Sequence, residues 1–241
     1  DDLTVEFWGV RGTLSAPGPE ANHYGGNTSC ICLRFPKGRI AVLDAGTGIR
    51  GLGEHLLRTS VNRIEAAIFI THPHWDHINA LPFFTPLFIQ GNQFAVCGPA
   101  QPGHSMRDLV AAQMDGTFFP ITPREFGADI TYQDLHQCPF EVMGMKGEAI
   151  MLMHPGVCLG YRFHHGGRSV AYITDNELHL PDSRHYSEEY MARLTSFLQG
   201  VDVLIIDATY FDEEYPSKVG WGHSSISQVA ELSMEQLGDL V

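Results

Sequence analysis

Between Thr71 and Ala80 the chain reads THPHWDHINA, so three histidines and an aspartate fall within the six residues from His72 to His77. They follow directly on Ala66–Ile70, AAIFI, a continuous apolar run. A run of that length without alternation reads as a strand buried on both faces, and such strands are covered by helices. The junction constrains the fold, because a buried strand must end where imidazoles and a carboxylate gather. In an extended exit, residues i and i+2 point the same way, so His72 and His74 can take one metal ion together. Asp76 and His77 follow where the chain turns towards a short helix expected at about Ile78–Pro82, which aims them at a second ion. Two cations about 3.5–4 Å apart need a bridging carboxylate and several neutral imidazoles.

The spacing predicts strands over Leu3–Val10, Ser29–Phe35, Arg39–Leu43, Phe94–Gly98 and Asp129–Tyr132, with helices over Ile49–Arg58 and Ser105–Met114. Asp44-Ala45-Gly46-Thr47-Gly48 reads as a tight strand-to-helix turn. From Phe140 onward the pattern is strongly β, with runs at Glu141–Met145, Ala149–Met153, Leu159–His164 and Ser169–Thr174. The last two are joined by His165-Gly166-Gly167, a hairpin turn. Helices over Glu188–Leu198 and Ser225–Gln236 flank a buried strand over Val201–Ile206. Strands in two sets, with helices between and outside them, point to an α/β class with a two-sheet core and helical outer layers. With no linker-like stretch or internal repeat, residues 1–241 read as a single domain. The start, Asp1-Asp2-Leu3, lacks a Met and is read as a trimmed N-terminus.

Fifteen basic against twenty-eight acidic side chains give a formal charge of −13, and lysine occurs only at Lys37, Lys146 and Lys218. Such a surface repels nucleic acid and points to a small-molecule substrate. No apolar stretch is long enough to span a bilayer, so no membrane partner is expected. The five cysteines (Cys30, Cys32, Cys97, Cys138 and Cys158) form no CxxC pair or disulfide framework, which favours a reducing, cytoplasmic location. A homo-oligomer is left open.

H-x-H-x-D-H at residues 72–77 resembles the hallmark of the metallo-β-lactamase-fold superfamily of metal-dependent hydrolases. That resemblance implies a four-layer αββα sandwich, two mixed β-sheets flanked by helices. It also implies ligands far downstream at strand ends, which His154 in LMHPGVCLGYRF and Asp175 in AYITDNEL supply. Asp44 in LDAGTG matches a carboxylate that the superfamily keeps behind its metal histidines to orient them. Within the superfamily the chain most resembles the phosphodiesterase branch, which includes the tRNA 3′-end processing nuclease ribonuclease Z and small cyclic-phosphate phosphodiesterases. Gly25-Gly26-Asn27-Thr28-Ser29, LDAGTG, His154 followed by LGYRF, and VDVLIIDATYFDEEYP followed by GWGHSS carry that likeness. By position, Asp207 and His223 take the roles of the strand-end acid and the histidine that cooperate at the scissile phosphate. Apart from the resemblance, Asp175 reads as the N-cap of a segment Asn176–Leu180, and Ser224 as the cap of the last helix.

The resemblance implies a dinuclear hydrolase of a small or cyclic phosphodiester. His72, His74 and His154 hold one ion; Asp76 and His77 hold the other; Asp175 bridges them. His223, with Asp207 behind it, assists at the phosphate or leaving group, and Ser224 joins His223 in binding substrate. The His-rich donor set favours two divalent zinc ions, and mixed N/O ligation also suits manganese or iron. The competing readings are a lactone or thioester (acyl) hydrolase on the same fold, an iron-dependent redox enzyme, and a sensory module with a degenerate site. The superfamily's last metal ligand is a His after the final helix. Leu237–Val241 reads as the opening of its strand, so the domain is expected to be incomplete at its C-terminus, with the ion at Asp76 and His77 weakly held. Phe83, Phe84, Phe118 and Phe119 read equally as hydrophobic walls near the cleft and as core packing, so they carry no substrate role.

Overall fold

The computed structural model describes residues 3–237. Backbone contacts part the chain into two units, Asp1–Leu135 with Glu141–Met145, and His136–Phe140 with Lys146–Val241. The first contains a six-stranded sheet in chain order: β1 (Thr4–Gly9), β2 (Cys30–Arg34), β3 (Ile40–Leu43), β4 (Glu65–Phe69), β5 (Gln93–Pro99) and β6 (Asp129–Leu135). β1, β2 and β3 pair antiparallel, whereas β3 to β6 run parallel. Parallel neighbours need crossovers, and these carry α1 (Gly48–Thr59), α2 (Trp75–Ile78) and α3 (Met106–Ala112). The sheet interior tolerates the uninterrupted apolar runs because both faces are dry: every residue from Ala66 to Ile70 is buried.

α1 covers one face by presenting Ile49, Leu52 and Leu56 at helical spacing, in one cluster with Cys30, Cys32, Val42 and Ile68. Each such aliphatic contributes about 1.5–3 kcal/mol by leaving water. Ser105 and Asp108 close α3 with a reciprocal capping box, which is why that helix starts at Met106 and not at Ser105.

The second sheet has five strands in the order β11-β10-β9-β8-β7: β7 (Pro139–Val142), β8 (Met145–Met151), β9 (Leu159–His165), β10 (Arg168–Ile173) and β11 (Val203–Ile206). β8–β9 and β9–β10 are antiparallel, and β10–β11 is parallel across α4 (Glu188–Leu198). Tyr190, Leu194 and Leu198 of α4 pack with Ile150, Leu152, Ala171 and Ile173, and with Val229 and Leu232 of α5 (Ile226–Leu237). The fold is α/β, with two mixed sheets flanked by helices, as expected.

Several boundaries differ from the sequence expectation. The run Glu141–Met145 is not one strand: β7 ends at Val142, and Met143 and Gly144 turn at φ 48° and 72° into β8. Two consecutive positive φ values make a two-residue hairpin loop, and the apolar side chain of Met143 conceals it in the pattern. The short helix begins at Trp75 and not at Ile78, so Asp76 and His77 lie on its first turn. No helix follows Asp175, which excludes its reading as an N-cap. The last helix is capped one residue later than expected. Ser225 and Gln228 satisfy each other's backbone amides, at 2.7 Å for Ser225 N to Gln228 Oε1 and 3.5 Å for Gln228 N to Ser225 Oγ. Leu237, expected to open a strand, is the last residue of α5, and residues 238–241 lie outside the described ones. Phe84 is fully buried and belongs to the core, not to a cleft wall, whereas Phe83 is 57% exposed and Phe118 88%.

Candidate metal centre

In the first unit, β4 ends at Phe69 and the chain delivers His72, His74, Asp76 and His77 within two turns. His72 is buried, and its Nε2 lies 3.0 Å from His74 Nδ1. Two imidazole nitrogens sharing one ion at about 2.0–2.1 Å each lie roughly 3 Å apart, so the pair is spaced for a common cation. Asp44 sits behind them with no solvent exposure. Its carboxylate accepts from Thr71 N at 2.8 Å, from Thr71 Oγ1 at 2.9 Å and from His77 Nδ1 at 2.7 Å. A carboxylate only accepts, so His77 carries a proton on Nδ1, and in the neutral ring Nε2, 3.4 Å from Asp76 Oδ2, has the lone pair. Asp76 is held in turn by the amide of Thr13, 2.8 Å from Oδ2.

The loops that build this corner are the two glycine-rich stretches of the sequence. Thr28 and Thr47 exchange bonds, Thr28 N to Thr47 Oγ1 at 2.9 Å and Thr47 N to Thr28 Oγ1 at 2.8 Å. Ala45 N donates to His77 O at 2.7 Å and Ala80 N to Ala45 O at 3.1 Å, which fastens the Asp44 turn to α2. Asp44 itself adopts φ 61°, a left-handed conformation that Asp tolerates better than most residues.

In the second unit, His154 lies three residues past β8 and Asp175 two past β10. His154 Nε2 is 3.6 Å from Asp175 Oδ2, and His223 Nε2 is 3.9 Å from the same oxygen. Asp175 has φ 24°, strain that sits at this cluster and at few other non-glycine positions. Asp207, just after β11, accepts from His223 Nδ1 at 2.7 Å and from Thr209 Oγ1 at 2.5 Å. One donor atom from each of Asp175, Asp207 and His223 lies within 4.8 Å of the others. Tyr210 packs edge-on to His223, ring centroids 5.9 Å apart. Partial burial raises its hydroxyl pKa, reinforced by the charges of Asp207 and Glu177. Ser224 is buried, and its hydroxyl donates to Asn176 O at 2.6 Å and accepts from Leu178 N at 2.9 Å. Those partners occupy the hydroxyl that had been expected at the substrate.

Residues 39–237 match the family model of the Beta-lactamase superfamily domain. The chain belongs to the beta-lactamase superfamily. Comparison with curated protein sequences finds no match. Among solved structures, the short form of human tRNase Z superposes with a TM-score of 0.65 at 20% identity, covering 97% of this chain and 88% of that one. A diphosphatase of the PhnP family gives 0.65 at 20% identity, with 98% and 83% covered. The metallo-beta-lactamase fold protein YhfI from Bacillus subtilis gives 0.66 at 15%, with 97% and 81% covered. At these identities the likeness establishes the metallo-beta-lactamase fold, whose members are mostly metal-dependent hydrolases. The donor chemistry of this superfamily member suits such a group. Imidazole nitrogens and carboxylate oxygens converge in each unit, with a carboxylate fixing the protonated nitrogen of His77 and of His223.

One acid at the centre escaped the sequence reading. Glu177 is 2% exposed and accepts from Tyr215, Gly220 and Gly222. In NELHL it shares the polar alternate positions with His179, a pattern that reads as a solvated face, and nothing local indicates its partners. His179 has Nδ1 3.2 Å from Glu177 Oε1, without hydrogen-bond alignment.

Proposed function

We propose that this superfamily member is a metal-dependent phosphodiesterase acting on a small or cyclic phosphodiester. The observation that carries the reading is the His223–Asp207 pair, joined at 2.7 Å with His223 Nε2 3.9 Å from Asp175. Attack on an acyl carbon has no evident use for such a pair, whereas a phosphodiester needs both its charge neutralised and its leaving alkoxide protonated.

The proposed ligands are His72, His74 and His154 for one ion and Asp76 and His77 for the other, with Asp175 shared. The set draws on both units, so the reading requires them to act as one domain. When bound, two divalent ions would supply Lewis-acid polarisation of the phosphoryl group and a water acidified to neutral pH. Zinc is the first choice for this donor set, with manganese or iron as alternatives. Asp207 accepts the Nδ1 proton of His223 and so presents Nε2 to the substrate. Protonated, His223 donates from Nε2 to a non-bridging phosphate oxygen or to the departing alkoxide. Asp44 holds His77 in the tautomer whose Nε2 is unprotonated. The free cysteines and the acidic surface accord with a cytoplasmic enzyme of small substrates. Among the described residues no helix is long and apolar enough to cross a membrane.

The test is hydrolysis of bis-p-nitrophenyl phosphate and a panel of cyclic and linear diesters by the protein loaded with zinc or manganese. Turnover should fall by about 10²–10⁴ in His223→Ala. No turnover on any diester overturns the reading. Turnover of a lactone or thioester that is indifferent to His223→Ala establishes the acyl hydrolase instead.

A further inference from the structure

Glu177 ties together the segments that carry His154, Asp175 and His223. Its carboxylate accepts from Gly220 N at 2.8 and 3.0 Å, from Gly222 N at 2.7 Å and from Tyr215 Oη at 3.0 Å. Its own amide donates to Met153 O at 2.9 Å, one residue before His154. A carboxylate this deeply buried is tolerated only where donors replace its water, and charge-assisted bonds of this kind are the strong ones. Three donors on the single segment 215–222 therefore hold that loop to Glu177, two residues past Asp175, and the amide of Glu177 ties it to the segment of His154.

Gly222 passes the constraint on. Its N–H goes to Glu177, while its carbonyl accepts from His154 Nδ1 at 3.0 Å. A carbonyl cannot donate, so Nδ1 of His154 carries a proton, and in the neutral ring Nε2, 3.6 Å from Asp175 Oδ2, is left with its lone pair. The approach is close enough to exclude any side chain. Gly222 has φ +86°, and a Cβ there would lie 2.3 Å from His154 Nδ1.

We propose that Glu177 is a positioning residue of the metal centre: it fixes the loop whose Gly222 carbonyl selects the Nδ1–H tautomer of His154 and leaves Nε2 open to an ion. The inference rests on His154 being a ligand, as argued above, and needs no particular substrate. Glu177 touches neither ion nor substrate in this role and acts only through Gly222.

Histidine nitrogen NMR on metal-free protein at pH 8 reads the tautomer, and competition with a chromophoric chelator reads zinc affinity. Wild-type His154 should be the Nδ1–H form. In Glu177→Gln the amide turns a donor towards the glycine N–H groups, so the tautomers should mix and zinc should bind about 10–100-fold more weakly. Tyr215→Phe removes one of the three donors and should move both readouts in the same direction by less; if Glu177→Gln does not fold, this variant decides. A wild-type His154 in the Nε2–H form, or folded variants with unchanged tautomer and affinity, overturns the proposal. Wild-type protein that binds no zinc overturns the metal reading itself, whereas bound zinc with an unmoved tautomer overturns only the role of Glu177.

Discussion

Asp44→Asn should leave the protein folded and yet weaken its metal binding, for a reason that lies in one proton. Among the donors to the fully buried Asp44, two cannot both be satisfied by an amide: Thr71 N at 2.8 Å and His77 Nδ1 at 2.7 Å. The backbone N–H of Thr71 is a permanent donor, while His77 can exchange tautomers. The asparagine oxygen is therefore taken by Thr71 and its NH₂ faces His77, which moves the imidazole proton to Nε2, the nitrogen needed for the ion. Losing such an orienting partner weakens metal binding about 10–100-fold, or roughly 1.4–2.7 kcal/mol. Asparagine accepts the φ of 61°, so the metal-free protein should lose only about 1–3 kcal/mol, the difference between charged and neutral hydrogen bonds. Asp44→Ala is harsher. It takes the acceptor from three buried donors, Thr71 N, Thr71 Oγ1 and His77 Nδ1, at about 1–3 kcal/mol each and forces alanine into a left-handed conformation at about 1–2 kcal/mol. Urea unfolding of the metal-free variants and zinc competition give both quantities. Wild-type zinc affinity in Asp44→Asn, or an alanine variant as stable as the asparagine one, would refute the reasoning.

Burial holds His179 below the ordinary imidazole value, aided by neighbouring His185 and opposed by Glu177. The unfolded chain then takes up the proton first, so stability is lost as pH falls below about 6.5; His179→Gln should flatten that part of the urea-midpoint profile. Burial also raises the thiol pKa of Cys32 and Cys97 to about 12, and that of Cys30 well above its usual value. With Cys158 buried and Cys138 exposed, a thiol reagent at pH 8 should label one cysteine rapidly in the native protein and all five after unfolding. Gly46→Ala would place a Cβ 2.2 Å from Asp76 O and 2.4 Å from Thr28 Oγ1. Backbone on one side leaves little room to relax, so a loss of about 1–3 kcal/mol or more is expected, read as a lower Tm.

Much of this molecule is written in local periodicity. Buried β4 and the apolar faces of α1, α3 and α4 follow from side-chain spacing of two or 3.6 residues, which the chain displays whatever its partners. The grouping of His72, His74, Asp76 and His77 was equally legible, because the four fall within six residues. Elements failed where one residue hid the geometry. Met143 is apolar yet turns at φ 48°, and the short helix begins at Trp75, three residues before Ile78. What sequence alone determined was therefore the order of elements and the kind of atoms at the site. Only the folded chain decided which nitrogen of each histidine carries the proton. Asp44 reaches His77 across 33 residues, Gly222 reaches His154 across 68, and Glu177 holds Gly222 across 45. A tautomer is chosen by whatever acceptor faces the ring, and no local pattern encodes a partner that arrives only when distant loops close on each other.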